Sequence, residues 1–128
     1  MKIVIETIPH KKQRYPTPGD WWFEKNGVWH IRVSQLSDWR YEILIAVHEL
    51  VEMALCKTWC VSEVDVTNFD IQFEAERAAG KHTSQDEPGD DPRAPYRTAH
   101  FVATTIERIF AVALCVDWGK YDKEVVEL

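Results

Sequence analysis

The chain lacks most of what a secreted or membrane-spanning protein needs. Its 128 residues include three cysteines, Cys56, Cys60 and Cys115, an odd and low number that argues against a disulfide framework. The longest apolar run is Ile109 to Val116, well short of the ~20 residues that cross a bilayer. Glu6 interrupts the apolar start of the chain, where a signal peptide would carry its hydrophobic core. Basic residues form no long stripe of the kind a duplex-binding protein shows; His10-Lys11-Lys12-Gln13-Arg14 is a short patch. Repeats and low-complexity tracts are absent. These absences lead to the expectation of a soluble cytoplasmic protein with no membrane partner and nucleic acid unlikely as a main one.

What remains is ordinary globular material. Hydrophobic residues make up 45% and charged residues 28%, which places residues 1–128 in one domain large enough to bury a core without disulfides or metal. The net charge of −6 is uneven. Residues 1–40 hold seven basic and four acidic groups, whereas residues 41–128 hold eight and seventeen. An acidic excess of this kind suits solubility and suits divalent cations. Cys56 and Cys60 lie on one side of a helix, but two thiols do not make a zinc site. The expectation is buried free thiols acting as small hydrophobes.

Residues 1–36 read as mainly β and residues 37–128 as mainly α. Lys2–Ile8 is β-branched and ends at Pro9. Trp21-Trp22-Phe23-Glu24-Lys25-Asn26-Gly27-Val28-Trp29-His30-Ile31-Arg32-Val33 carries an Asn-Gly pair between two strand-like runs, a strong hairpin signal. A two-residue turn there pairs Glu24 with Trp29 and Trp22 with Ile31. That register puts Trp22 with Trp29, Ile31 and Val33 on the face toward the helices, and Phe23 with His30 on the other. Ser37 or Asp38 can cap a helix over Trp39–Lys57. Further helices are expected over Thr67–Ala79 and from Pro95 or Tyr96 to Val116. Between them residues 80–95 form a long acidic loop, and a short helix can follow over 117–128. The fold class is therefore α+β: a small antiparallel sheet with an Asn-Gly hairpin, packed on about three helices.

The central helix contains His48-Glu49-Leu50-Val51-Glu52. At about 100° per residue, Tyr41, His48, Glu49 and Glu52 share a wedge about 100° wide, and nearly everything else on the helix is apolar. Ionisable groups on the one polar stripe of an otherwise apolar helix are costly to bury unless paired or metal-bound. A stripe facing water is the plain alternative. Suitable partners exist elsewhere. His100, Thr104, Glu107 and Ala111 form a line on the third helix, which follows the loop Glu87-Pro88-Gly89-Asp90-Asp91-Pro92. Asp70 and Glu74 stand at i and i+4 on the second helix, facing either inward or water.

The His48-Glu49-x-x-Glu52 helix after a small sheet resembles the active-site helix of zincin metallopeptidases, whose motif is His-Glu-x-x-His. By position, the resemblance implies His48 as a metal ligand and Glu49 as the general base. Glu52 stands where the family has its second histidine. A carboxylate with two histidines is a known zinc set, so His48, Glu52 and His100 would restore it. Gly19-Asp20-Trp21-Trp22, Asp38-Trp39-Arg40-Tyr41-Glu42, the His48–Glu52 stretch and Glu87–Pro92 also resemble small proteins of tailed phages and prophages. That second resemblance implies a phage origin and a place in the host cytoplasm, and no particular activity.

Three functional expectations follow. The first is a metal-dependent hydrolase in which a divalent metal, zinc before iron, manganese or magnesium, is held by His48, Glu52 and His100, with Glu49 as base. The sheet edge could then align an extended substrate of unknown identity. The second resembles the helical nucleotide pyrophosphohydrolases, with Asp70 and Glu74 joining Glu49 and Glu52 as acidic ligands around magnesium. The third is a non-enzymatic acidic protein that binds a host factor through an aromatic patch drawn from six tryptophans.

Overall fold

A computed structural model describes all residues, 1–128. Three strands, β1 (Lys2–Ile8), β2 (Gly19–Phe23) and β3 (Val28–Ser34), lie in the order β1-β3-β2. Four helices follow: α1 (Trp39–Thr58), α2 (Glu63–Ala78), α3 (Arg97–Ala113) and α4 (Trp118–Val126). The class is α+β. The sheet is mixed, however, not wholly antiparallel: β3 runs antiparallel to β2 and parallel to β1. The ten-residue link after β1 explains the difference. It passes over the end of β3, where His10 and Gln13 hydrogen-bond the Ser34 hydroxyl at 2.9 and 3.2 Å, and so leaves the central place free for β3.

The hairpin register differs from the expected one by one residue. Phe23 pairs with Trp29, Trp22 with His30 and Trp21 with Ile31. Glu24 and Val28 close the hairpin, the Gly27 N–H bonds the Glu24 carbonyl at 2.9 Å, and only Gly27 of the turn has a positive φ, 81°. This is a three-residue loop, a turn followed by a left-handed glycine, in place of a two-residue turn with both residues left-handed. A one-residue slip exchanges the faces of a strand. Trp21, with Ile31 and Val33, therefore enters the core, while Trp22 stacks on His30 outside, ring centroids 5.1 Å apart. Arg14 and Arg32 cover that tryptophan, each guanidinium 4.9 or 4.8 Å from its ring.

Helix α1 packs between the sheet and α3. Asp38 caps it, its carboxylate accepting from the Arg40 N–H at 2.9 Å. Ser62 starts α2 four residues before the expected Thr67, its hydroxyl accepting from the Asp65 N–H. The core of the domain gathers Trp21, Ile31 and Val33 from the sheet, Leu44, Met53 and Cys56 from α1, and Tyr96 and Ala99 from the start of α3.

Three helices end alike. The residue past the cap is left-handed, Cys60 at φ 57° after α1, Gly80 at 79° after α2 and Cys115 at 54° after α3. The next N–H then reaches back to the helix, Val61 to Cys56, Lys81 to Glu76 and Val116 to Ala111, at 2.9–3.0 Å. This is the Schellman ending, in which glycine is the unstrained choice. It also corrects the expectation that Cys56 and Cys60 are both buried thiols. Cys56 is buried, and burial pushes its thiol up to about 12, whereas Cys60 and Cys115 are exposed at these turns. Replacing Cys60 or Cys115 by glycine should therefore stabilise the fold by about 0.5–1 kcal/mol each. Denaturant unfolding of the two variants checks this, and a loss of stability in both would contradict the assigned endings.

Candidate metal centre

Helix α1 turns its polar stripe inward. Glu52 is 5% exposed and Glu49 9%, and His48 lies between them and α3. Helix α3 runs antiparallel to α1 and brings His100 and Glu107 to the same level. The His48 Nε2 and His100 Nδ1 atoms are 3.2 Å apart. Glu52 Oε2 lies 3.5 Å from the first and 3.2 Å from the second. Three ligand-type atoms thus form a small, nearly equilateral triangle.

The other atoms of these groups are already engaged. His48 Nδ1 is 2.8 Å from Glu107 Oε2, and His100 Nε2 is 3.0 Å from Glu87 Oε2. A carboxylate only accepts, so each of these ring nitrogens carries the proton. The nitrogens facing the triangle are then lone pairs in the neutral rings. Trp21 Nε1–H donates to Glu52 Oε1 at 2.9 Å, which leaves Oε2 to the triangle. Tyr121 donates to the far oxygen of Glu107. Three lone pairs at this separation repel unless a cation lies among them, and the cation is either a proton on one ring or a metal ion.

The titration behaviour has the same cause. Burial opposes a charged His48, but its hydrogen bonds to Glu107 and Glu52 override that and hold it well above its usual range. Burial likewise opposes a charged His100, and Glu52 and Glu87 raise it to about 9. Burial would raise Glu52, yet His100 and His48 bring it down to about 2. Glu49 behaves oppositely. Burial, then the charge of Glu52, pushes it well above the usual carboxylate range.

Two glycines make room for this packing. A Cβ built on Gly19 would lie 2.3 Å from Glu49 Oε1, and one on Gly89 would lie 2.2 Å from His100 Cγ. The β2 edge therefore rests on Glu49, and the acidic loop rests on His100. A cavity of about 380 Å³ opens over the group, with Tyr15, Gly19, Asp70 and Glu87 among its walls.

Comparison with protein-family models, curated proteins and solved structures finds no match.

The candidate residues thus divide. His48, Glu52 and His100 converge, and Glu49 lines the same cavity. Asp70 also lines it, but both its oxygens accept tyrosine hydroxyls, Tyr15 at 3.0 Å and Tyr96. Glu74 is held by Arg77 on its own helix at 3.0 and 3.2 Å. Neither acid is drawn into the His/Glu triangle. Of the triangle's supporting groups, Glu107 and Glu87 stand in the line and the loop that spacing points to, without a role assigned, whereas Trp21 and Tyr121 are not singled out by spacing. Glu107 had a readable signal, since it lies two turns from His100 on the same line. Trp21 had none, because the hairpin register decides which tryptophan faces inward. A second acidic grouping, Glu87 and Asp90 with His100, sits at the cavity mouth.

Asp70 yields a pH prediction. Burial, partly opposed by the Tyr96 hydrogen bond, raises its carboxyl to about 7. An acid with a raised folded pKa contributes stability below its unfolded value of ~3.9 and loses it as pH rises through the folded value. Asp70→Asn removes this titration. In chelator, the variant's stability relative to wild type should improve by about 2–4 kcal/mol between pH 4.5 and pH 8. Chemical denaturation at both pH values checks this, and a constant difference would contradict it.

Proposed function

We propose that this protein is a metal-dependent hydrolase with a zincin-like centre, in which His48, Glu52 and His100 hold a divalent metal and Glu49 is the general base. The observation that carries the reading is the triangle of ligand-type atoms with edges of 3.2, 3.5 and 3.2 Å. A tetrahedral ion with bonds of ~2.0–2.1 Å has ligand–ligand edges of ~3.3–3.4 Å. Two imidazoles and one carboxylate are the donors that suit zinc, whereas magnesium prefers oxygen alone. This donor chemistry favours zinc over magnesium and weighs against the pyrophosphohydrolase-like reading. Three protein ligands beside a cavity also match the catalytic pattern, since structural zinc sites close with four.

A metal in this position supplies Lewis acidity and lowers the pKa of water. The chain's own residues do the rest. Glu107 and Glu87 fix the two ring tautomers and raise ligand basicity, as carboxylates behind metal-binding histidines do. Trp21 fixes the Glu52 rotamer. Glu49, buried against Gly19 with no donor of the protein bonded to it, would take the role of base once the charge of a bound metal offsets the burial and the Glu52 charge that raise it. The N–H and C=O groups of Trp21 point away from β3, because the hydrogen-bonded pairs of that ladder fall at Glu24 and Pro18. The outer edge of β2 is otherwise occupied, the Phe23 N–H donating to Glu63 Oε2 at 2.8 Å and the Gly19 carbonyl accepting the Thr17 hydroxyl, so only the main-chain groups of Trp21 are left beside Glu49 for a substrate to meet. The resemblance to phage proteins would place this activity in the host cytoplasm. No helix is long and apolar enough to cross a membrane.

Elemental analysis of the purified protein and of three variants tests the proposal. Wild type should hold about one zinc per chain, the number that three ligands and an open position accommodate. His48→Ala should lose it, and with it the stabilisation that a bound ion gives by mass action. Glu49→Gln should keep the metal and lose at least ~100-fold in hydrolysis of a cleavable peptide, the low end of what a general base contributes. Gly19→Ala should resemble Glu49→Gln, because its Cβ displaces the same carboxylate. Equal metal loss from His48→Ala and Glu49→Gln would instead make Glu49 a ligand. Wild type that takes up no metal would end the proposal.

A further inference from the structure

Helix α1 is inverted: its charges point inward and its solvent side is apolar. Ile43, Val47, Leu50, Val51 and Ala54 are all at least partly exposed, and no charged residue interrupts them on that face. Helix α3 repeats the pattern. Phe101, Ile109 and Val112 are 69%, 68% and 79% exposed, and Ile106 and Thr105 lie between them. The helices are antiparallel neighbours, Arg40 Nη1 donating to the Leu114 carbonyl at 3.3 Å. Ile43 thus lies level with Ile109, and the two stripes run side by side on the face of the helix layer away from the sheet, with the exposed Arg97 and Arg108 in line with Phe101 and Val112 along the outer border of α3.

We propose that this face is covered by a second copy of the chain, giving a two-fold symmetric dimer with a four-helix interface of α1 and α3 from each protomer. Area is the first argument. With Trp39 at its end, the face carries six large apolar residues that are 38–79% exposed. The largest such patch on a typical monomer is ~300–600 Å², and a standard interface takes ~800 Å² from each partner. Composition is the second. A face whose charges are confined to its border, Arg108 among them folded over the Trp118 ring at 4.2 Å, is close in make-up to a homodimer core, which is more apolar than a transient interface. Shape is the third. Two antiparallel helices side by side present ridges and grooves that a copy of themselves can fill, and a two-fold contact needs only one such patch per chain. In the dimer the metal-candidate helices form the inner layers, and the cavities open on the outer sides.

Sedimentation velocity of the full chain is the test. At about 100 µM, where mass action favours association, the species should approach twice the 14.9 kDa of one chain. Ile109→Glu with Val112→Glu should be monomeric with unchanged far-UV circular dichroism, since both side chains are exposed in the single chain. Ile43→Glu makes the same test from α1, should the α3 variant unfold. A wild-type monomer at that concentration would overturn the proposal, and so would a dimer that survives the glutamates. Arg40, Lys57, Arg97 and Arg108 border the face, so vesicles of 3:1 phosphatidylcholine and phosphatidylglycerol are the competing probe. Co-sedimentation of a monomeric wild type with them would assign the face to membrane instead.

Discussion

The structure turns on three atoms that cannot share their positions without a positive charge among them. His48 Nε2, His100 Nδ1 and Glu52 Oε2 sit within 3.5 Å of one another in a nearly dry interior. A charge stranded there would be strongly destabilising, so the surrounding residues are chosen to compensate it. Glu107 and Glu87 stand behind the imidazoles, Tyr121 behind Glu107, and Trp21 behind Glu52. Each strand and helix that reaches the cluster does so through one of these supports. Polar networks of this kind are stable when every member is satisfied, and costly when one is not.

The same constraint accounts for the unusual helices. A surface helix ordinarily buries apolar residues and shows polar ones to water. Here α1 and α3 commit His48, Glu49, Glu52, His100 and Glu107 to the interior and leave many aliphatic residues outside, beside Lys57, Arg97 and Arg108. Both halves of the inversion follow from one arrangement: the helices enclose a charged centre on one side, and their other side is suited to meet another apolar layer. Glycines at positions 19 and 89 allow the sheet edge and the acidic loop to close on that centre, where any side chain would collide with Glu49 or His100.

Much of this was legible in residue spacing. The narrow polar wedge on α1, the matching line on α3 and the acidic loop before it pointed to a convergence of His48, Glu52 and His100. The parts that were not legible depend on long-range geometry. An Asn-Gly pair is compatible with two loop lengths, and the choice between them moved the strand by one residue and exchanged Trp22 for Trp21 in the core. The parallel pairing of β1 with β3 has no local signature, because it depends on a loop passing over a strand end. Asp70 looked like a ligand in sequence, and its engagement by Tyr15 and Tyr96 is a matter of three elements meeting. Of the six tryptophans, Trp21 is buried and Trp22 and Trp118 lie beneath arginines, whereas Trp39 and Trp59 are exposed.

The centre can be interrogated through the protons on its two rings. Nitrogen-15 NMR of the imidazoles distinguishes a protonated, an unprotonated and a metal-bound nitrogen in each histidine. With zinc added, a metal-centred cluster requires opposite tautomers. His48 should keep its proton on Nδ1 and bind through Nε2, and His100 should keep its proton on Nε2 and bind through Nδ1. Both facing nitrogens should shift together at one equivalent of zinc. If both rings instead remain imidazolium and neither signal responds to zinc, the cation at the centre is a proton, and the cluster is a buried charge network with no metal chemistry.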